Sequence, residues 1–539
     1  MTAAPLLEVR DLTLSAGGQE LVREVSFSLL PGEVLGLVGE SGSGKSLTTF
    51  AILGLLPPGI ALSPRASLRF EGQELTGLAE RAWRRLRGGR IGMVFQDPMA
   101  CLNPAMTAGA QLAEALRQHH GLRGAAMRAA VAARMAEVGL DPALAARHPH
   151  ALSGGQQQRV MIAIALAGDP ALLLADEPTT ALDTTVQAQV LVLLRRLVAE
   201  RGLAMIFVSH DLAVVAGMAA RVGVMHRGRL VELGPAEQVL RRPRARETRD
   251  LLAACHAFAP ATRPTAPRAA PPVLEVEGLA VAHPSRFPFA RPHRAVEGAS
   301  FSLAPGEVLG LVGGSGSGKS SLARALVGLA DRSAGRVVLE GRELTPGLAA
   351  RRDPAAQRLQ MVFQNPYGSL NPRRRIAAIL EEPQHALGVP DAAARRRRAA
   401  AVLAEVGLDE AHLDRFPHQL SGGQRQRVAI ARALLAEPAV LVCDEVISAL
   451  DMTVQAQVLM LLRRLVDERG LAMLFISHDL AAVAQLAARV AVMARGRIVE
   501  EGPVAEVLGA PREAATCALV AALPPPLMLP AVAGEPVPA

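Results

Sequence analysis

The sequence predicts an α/β fold: a domain of about 250 residues built on a parallel sheet and written twice in tandem. Three observations carry the prediction. RRLVAERGLAMIFVSHDLAVVA, starting at Arg195, returns as RRLVDERGLAMLFISHDLAAVA, starting at Arg463, with four differences in 22 positions. Short apolar runs such as VLGLVG, ALLLAD and AMIFVSH alternate with helical stretches such as TVQAQVLVLLRRLVAERG. Runs of that kind read as strands buried on both faces, and their alternation with helices as a covered parallel sheet. Finally, a glycine-rich octapeptide stands between a strand and a helix in each copy: GESGSGKS at Gly39–Ser46 and GGSGSGKS at Gly313–Ser320.

The 539 residues divide accordingly. The first domain is expected at 6–255 and the second at 273–522. Between them HAFAPATRPTAPRAAPP (256–272) is rich in Pro and Ala without a hydrophobic period, and reads as an extended linker. A Pro-rich tail follows at 523–539. Within the first copy, the Ala/Arg-rich stretch between about residues 105 and 150 shows no strand pattern and reads as a helical insert.

Composition narrows the class. Half of the residues are hydrophobic, which excludes global disorder. No run of 18 apolar residues is present, so no membrane span is expected, and MTAAPLLEVR lacks the pattern of a signal peptide. A cytosolic protein is the resulting expectation. The four cysteines are far apart, with no C-x-x-C pair, which argues against a disulfide framework, a zinc site or an iron–sulfur cluster. A pI near 10.3 suggests nucleic acid or an anionic surface as a partner. The excess is arginine scattered along helical stretches such as Arg395–Arg398, and solvated helix faces are the simpler reading.

The basic residues hold a sharper signal. Of 58, only two are lysine, Lys45 and Lys319, and each ends the same glycine-rich motif. A compact ammonium on a flexible stem is not replaced by a planar guanidinium where one point charge must reach between phosphates. Gly39, Glu40, Ser41, Gly42, Ser43 and Gly44 in one copy, and Gly313, Gly314, Ser315, Gly316, Ser317 and Gly318 in the other, let successive N–H groups face a phosphate at a helix N-terminus. Lys45 and Lys319 are then expected at the β- and γ-phosphates, and Ser46 and Ser320 on Mg²⁺. Downstream, an apolar strand ends in paired acids in each copy, Asp176–Glu177 and Asp444–Glu445. The first acid suits Mg²⁺ and the second can polarise a water for attack on a γ-phosphate.

With these motifs present, the chain resembles the ATP-binding cassette (ABC) ATPases over nearly its whole length. LSGGQ at Leu152–Gln156 and Leu420–Gln424 looks like the signature of that family and lies where the family places it. Gln96 and Gln364 match its Q-loop, Asp183 and Asp451 its D-loop, and His210 and His478 its switch histidine, each 33 residues after the glutamate. The resemblance implies a RecA-like core with a small antiparallel part and a helical subdomain in each copy. It implies ATP and Mg²⁺ as ligands, Gln96 and Gln364 near the metal, and Glu177, Glu445, His210 and His478 as the catalytic groups. It further implies two composite sites, with Ser421 and Gly423 capping the nucleotide of Lys45, and Ser153 and Gly155 that of Lys319. One departure stands out: the aromatic residue on which the family stacks adenine is replaced by Ala16 and His283.

DPMACLNP (97–104), NPYGSLNP (365–372), TRDLLAA (248–254) and TCALVAA (516–522) are similar to segments of the peptide/nickel/opine importer ATPases. That finer resemblance implies a transport motor on the cytoplasmic face of the inner membrane. Its partners would be two integral membrane permease subunits, or one fused permease, and an extracytoplasmic solute-binding protein, with no nucleic acid. The alternative is a soluble twin-cassette ATPase acting on ribosomes or DNA. It sits poorly with a Pro/Ala-rich linker that cannot form a continuous helix and with the missing zinc cysteines. A P-loop kinase is a third possibility, but nothing in the chain suggests a pocket for a phosphoryl acceptor.

Overall fold

The computed structural model describes residues 4–179, 182–256, 271–284, 292–347, 353–448 and 450–523. Apart from residues 256, 271, 272 and 523, the expected linker and tail lie outside this set. The described chain forms two compact units that follow the sequence repeat.

The first unit opens with β1 (Leu7–Ala16), β2 (Gln19–Leu29), β3 (Val34–Val38), α1 (Lys45–Ile52), β4 (Ile60–Leu62), β5 (Ser67–Phe70) and β6 (Gln73–Glu74). Next come α2 (Glu80–Leu86), β7 (Ile91–Val94), α3 (Pro98–Cys101), α4 (Ala108–His120), α5 (Gly124–Glu137) and α6 (Gly154–Ala165). It closes with β8 (Leu172–Asp176), α7 (Thr184–Arg201), β9 (Ala204–Val208), α8 (Leu212–Met218), β10 (Arg221–His226), β11 (Arg229–Pro235), α9 (Ala236–Arg241) and α10 (Arg246–His256).

Two sheets result. The larger runs β11-β10-β3-β9-β8-β7, parallel except for β11. Every residue of β8 and β9 is buried, as their unbroken apolar runs require when both faces are covered. The smaller sheet is antiparallel, β2-β1-β5-β6 with β4 on β1, and its alternating burial gives one face to the core and one to water. The expected helical insert is α4 and α5, which pack through Leu112, Leu116, Met127, Val131 and Met135.

The second unit repeats the plan. Its first part is β12 (Leu274–His283), β13 (His293–Leu303), β14 (Val308–Val312), α11 (Lys319–Leu326), β15 (Ala334–Leu339), β16 (Arg342–Glu343) and β17 (Leu359–Val362). The helical part is α12 (Pro366–Ser369), α13 (Ile376–Ala386), α14 (Ala392–Glu405) and α15 (Gly422–Leu434). The remainder is β18 (Val440–Asp444), α16 (Met452–Arg469), β19 (Ala472–Ile476), α17 (Leu480–Leu486), β20 (Arg489–Ala494), β21 (Arg497–Pro503), α18 (Val504–Gly509) and α19 (Ala514–Ala521). The sheet order β17-β18-β19-β14-β20-β21 matches the first unit strand for strand.

Three of the four arginines at 395–398 behave as expected of a solvated face. Arg396 pairs with Asp414, Arg397 with Asp391 and Arg398 with Glu437. Arg395 does not. It is 9% exposed and donates to the carbonyls of Val389 and Pro390, tying the turn before α14 to the helix. Of the cysteines, Cys443 is a buried free thiol in β18, while Cys101 and Cys517 are exposed and free. No helix among the described residues is long and apolar enough to cross a membrane.

Candidate functional site

Parallel strands deliver whatever follows them to one edge of the sheet. In the first unit β3, β9, β8 and β7 are consecutive neighbours, so the glycine-rich loop, His210, Asp176–Glu177 and Gln96 all emerge at the same carboxyl edge. Residues scattered over more than a hundred positions converge for that reason alone. In the second unit β14, β19, β18 and β17 do the same for the other loop, His478, Asp444–Glu445 and Gln364.

The loop is wrapped around its lysine. Lys45 is 5% exposed, and its ammonium donates to the carbonyls of Gly39 (2.7 Å) and Glu40 (2.8 Å). Lys319 donates likewise to Gly313 (2.7 Å) and Gly314 (3.0 Å). Gly39, at φ 151°, allows the loop to lie against the next strand: a Cβ there would stand 2.1 Å from the Met225 carbonyl oxygen. No side chain fits in that gap.

Ser46, on the first turn of α1, donates to Asp176 Oδ1 at 2.9 Å, and Ser320 to Asp444 Oδ1 at 3.2 Å. Burial pushes the Asp176 carboxyl up to about 6, against the Ser46 hydrogen bond and helped by the neighbouring Glu177 charge. Asp444 is raised by burial in the same way. One hydroxyl and one carboxylate are hard oxygen donors side by side, a donor set that suits Mg²⁺ completed by phosphate oxygens and water. Among the described residues there is no cluster of three or more His, Cys, Asp or Glu that could hold a metal ion.

Glu177 and Glu445 are held differently from the aspartates beside them. Each adopts a left-handed backbone, φ 47° and 48°, immediately after its strand. Their amides remain tied to the sheet, donating to the Val208 and Ile476 carbonyls. The turn carries each carboxylate to two partners. Gln96 Nε2 donates to Glu177 at 2.9 Å and Gln364 Nε2 to Glu445 at 2.7 Å. His210 Nδ1 lies 3.4 Å from Glu177, and His478 Nδ1 3.6 Å from Glu445. Burial alone would lower both histidines, but the hydrogen bond and charge of the glutamate raise them. Reciprocally, burial raises Glu445 and is outweighed by His478 and Lys319, leaving the carboxyl below its usual range. A half-buried carboxylate held beside a phosphate-type loop can accept a proton from water.

The two signature segments lie at helix starts. Ser153 caps α6 in a capping box with Gln156, and Ser421 caps α15 with Gln424. Both serines are exposed. The glycines two residues on serve packing as well as any ligand: a Cβ on Gly155 would meet Val186 Cγ1 at 2.3 Å, and one on Gly423 would meet Val454 Cγ1 at 2.4 Å. Ala16 ends β1, paired with Gln19 and Ile60. His283 ends β12, exposed, with Nε2 3.1 Å from Ser321 Oγ. The sequence motifs thus account for the groups at each sheet edge. They gave no hint of the stacking of Arg425 on Tyr367 in the second unit, because two unremarkable residues 58 positions apart carry no pattern.

Comparison with known proteins bears on the whole chain. The profile of the ABC transporter family matches residues 22–180 and 296–448. The chain is similar to the peptidoglycan transport ATP-binding protein YejF of Agrobacterium fabrum, 46% identical over 532 residues with 96% of each chain covered. It is also similar to the glutathione import ATP-binding protein GsiA of Salmonella paratyphi A, 42% identical over 545 residues, covering 94% of this chain and 87% of that protein. The ABC transporter ATP-binding protein YejF of Escherichia coli is 43% identical over 527 residues, with 96% and 99% covered.

Proposed function

Because the chain belongs to the ABC transporter family, with two of its ATPase cassettes in one polypeptide, we propose that it is the ATP-hydrolysing motor of a membrane importer for peptides or related small solutes. The protein is an ATPase. The observation that carries the proposal is the intact Glu–His–Gln constellation at the sheet edge of both cassettes, in a chain alike from end to end to transport ATPases.

In this reading the loop amides and Lys45 or Lys319 grip the nucleotide phosphates. Ser46 with Asp176, and Ser320 with Asp444, would hold Mg²⁺, with Gln96 and Gln364 alongside, and the bound ion would supply neutralisation of phosphate charge. Glu177 and Glu445 take the proton of the attacking water, while His210 and His478, at 3.4 and 3.6 Å, orient those carboxylates. Ser153 with Gly155, and Ser421 with Gly423, supply a hydroxyl and a helix-start amide that suit a nucleotide γ-phosphate.

Base recognition differs between the cassettes. Stacking is worth roughly 1–3 kcal/mol, and Ala16 offers no ring. In a Lys319 variant disabled at the second loop, competition binding is expected to show ATP and GTP held about equally at the first site. Strong ATP preference there would mean that another residue supplies the platform.

The solute is a peptide-class molecule, glutathione or a peptidoglycan fragment by analogy with the relatives. The partners are two permease subunits, or one fused permease, and a solute-binding protein. The protein is expected in detergent-solubilised membranes with integral membrane proteins, its ATPase rate rising when a loaded binding protein docks. Recovery with ribosomes or DNA, and with no integral membrane protein, would overturn the transport reading and leave the nucleotide chemistry untouched.

A further inference from the structure

The nucleotide-site residues of the two cassettes match closely, but the segment just after the Q-loop is anchored differently. In the second cassette the Arg425 guanidinium lies over the Tyr367 ring, 3.7 Å from its centroid. Two turns further along α15, Arg432 donates to the Ser369 carbonyl at 2.5 Å. Asn365 fixes the near end of α12 by accepting from the amides of Tyr367 (2.9 Å) and Gly368 (3.3 Å). So α12 begins two residues after Gln364 and is joined at both ends to the helix that begins one residue after Ser421.

The first cassette keeps the cap, with Asp97 accepting from the Met99 amide at 2.8 Å, but lacks both arginine contacts. Gln157 and Ile164 occupy the two arginine positions, and Met99 the tyrosine position. Gln157 is buried and turned away, donating to the carbonyls of Pro149 (2.8 Å) and Leu152 (3.1 Å). Met99 and Tyr367 are similarly exposed, 57% and 54%, so the difference lies in the arginine contacts and not in burial.

From this difference we propose that Arg425 and Arg432 are positioning residues that clamp α12 to α15, so that in the second cassette a movement of Gln364 is carried directly to Ser421 and Gly423. The clamp rests on the roles given above to Gln364 and the signature residues. A planar guanidinium flat on a ring resists both sliding and tilting, and a second bond to a backbone carbonyl removes rotation about the first. Two attachments to one short helix therefore make it move with α15. The second cassette then signals through this clamp, which the first lacks. The bland alternative, ordinary surface stacking, predicts that Tyr367 and Arg425 affect stability without affecting turnover.

The test uses the full chain and steady-state ATPase kinetics. Tyr367→Met and Arg425→Gln are each expected to lower kcat about 2–5-fold, the scale of one half-exposed cation–π contact, with KM for ATP changed less than about twofold. Tyr367→Phe keeps the ring and is expected to retain kcat. The double variant Tyr367→Met/Arg425→Gln should be no slower than the slower single. Unchanged kcat in the single variants, or losses that multiply in the double, would overturn the clamp.

Tyr367 is the only tyrosine and Trp83 the only tryptophan in the chain, so in a Trp83→Phe background tyrosine emission reads the stack without reference to catalysis. Arg425→Gln should raise its quenching by acrylamide about twofold. Unchanged quenching overturns the stack whatever the turnover. The double variant Glu177→Gln/Glu445→Gln separates the two levels of inference. If it leaves ATPase activity intact, the reading of the site has failed; if it suppresses activity while Arg425→Gln does not, the clamp alone has failed.

Discussion

Replacing both Glu177 and Glu445 by glutamine is expected to lower ATP turnover by about 10²–10⁴-fold, roughly 3–5 kcal/mol of barrier, while ATP still binds. Glutamine is isosteric and keeps the hydrogen-bonding reach of the glutamate, so the left-handed turn after β8 or β18 is retained. What disappears is the anionic proton acceptor and the charge that raises His210 and His478 against the effect of burial. Nucleotide binding should persist because Lys45, Lys319 and the loop amides are untouched. Phosphate release and equilibrium ATP binding, measured on the same preparation, separate the two effects. A double variant that hydrolyses ATP near the parental rate would remove both glutamates from the catalytic role.

Lys45→Arg and Lys319→Arg are each expected to weaken nucleotide binding at the altered cassette, by about tenfold or more. The ammonium is enclosed by carbonyls at 2.7–3.0 Å on a loop that approaches the next strand too closely for even a methyl group at Gly39 or Gly313. A guanidinium is wider and planar, and cannot place a compact charge between two phosphates without opening that loop. Everywhere else the chain uses arginine, so the prediction isolates shape from charge. Equilibrium titration with a fluorescent ATP analogue checks it. Unchanged affinity in both variants would leave the two lysines without an explanation.

The parts of the fold that read directly from sequence were those with a local pattern. VLGLV, LLLAD and AMIFV are unbroken apolar runs, and they form the buried parallel strands β3, β8 and β9. The loop, the paired acids and the histidines were legible because their spacing recurs in the second copy. Tertiary features were not. The burial of Arg395 within a run of four arginines depends on carbonyls left free by the turn at Val389–Pro390, which no pattern announces. The left-handed backbone at Glu177 and Glu445 is equally silent, since glutamate has no preference for it.

That backbone has a consequence for how the protein can change over time. A glutamate at positive φ is strained by about 1–2 kcal/mol, and glycine at the same place would relax the turn. The position is therefore one where selection for a sturdier fold and selection for a working enzyme favour different residues. Of the six glutamates at positive φ among the described residues, these two, one per cassette, stand at the site. A lineage that no longer needed one cassette to turn over ATP would have a physical incentive to lose that glutamate early, and this chain has kept both.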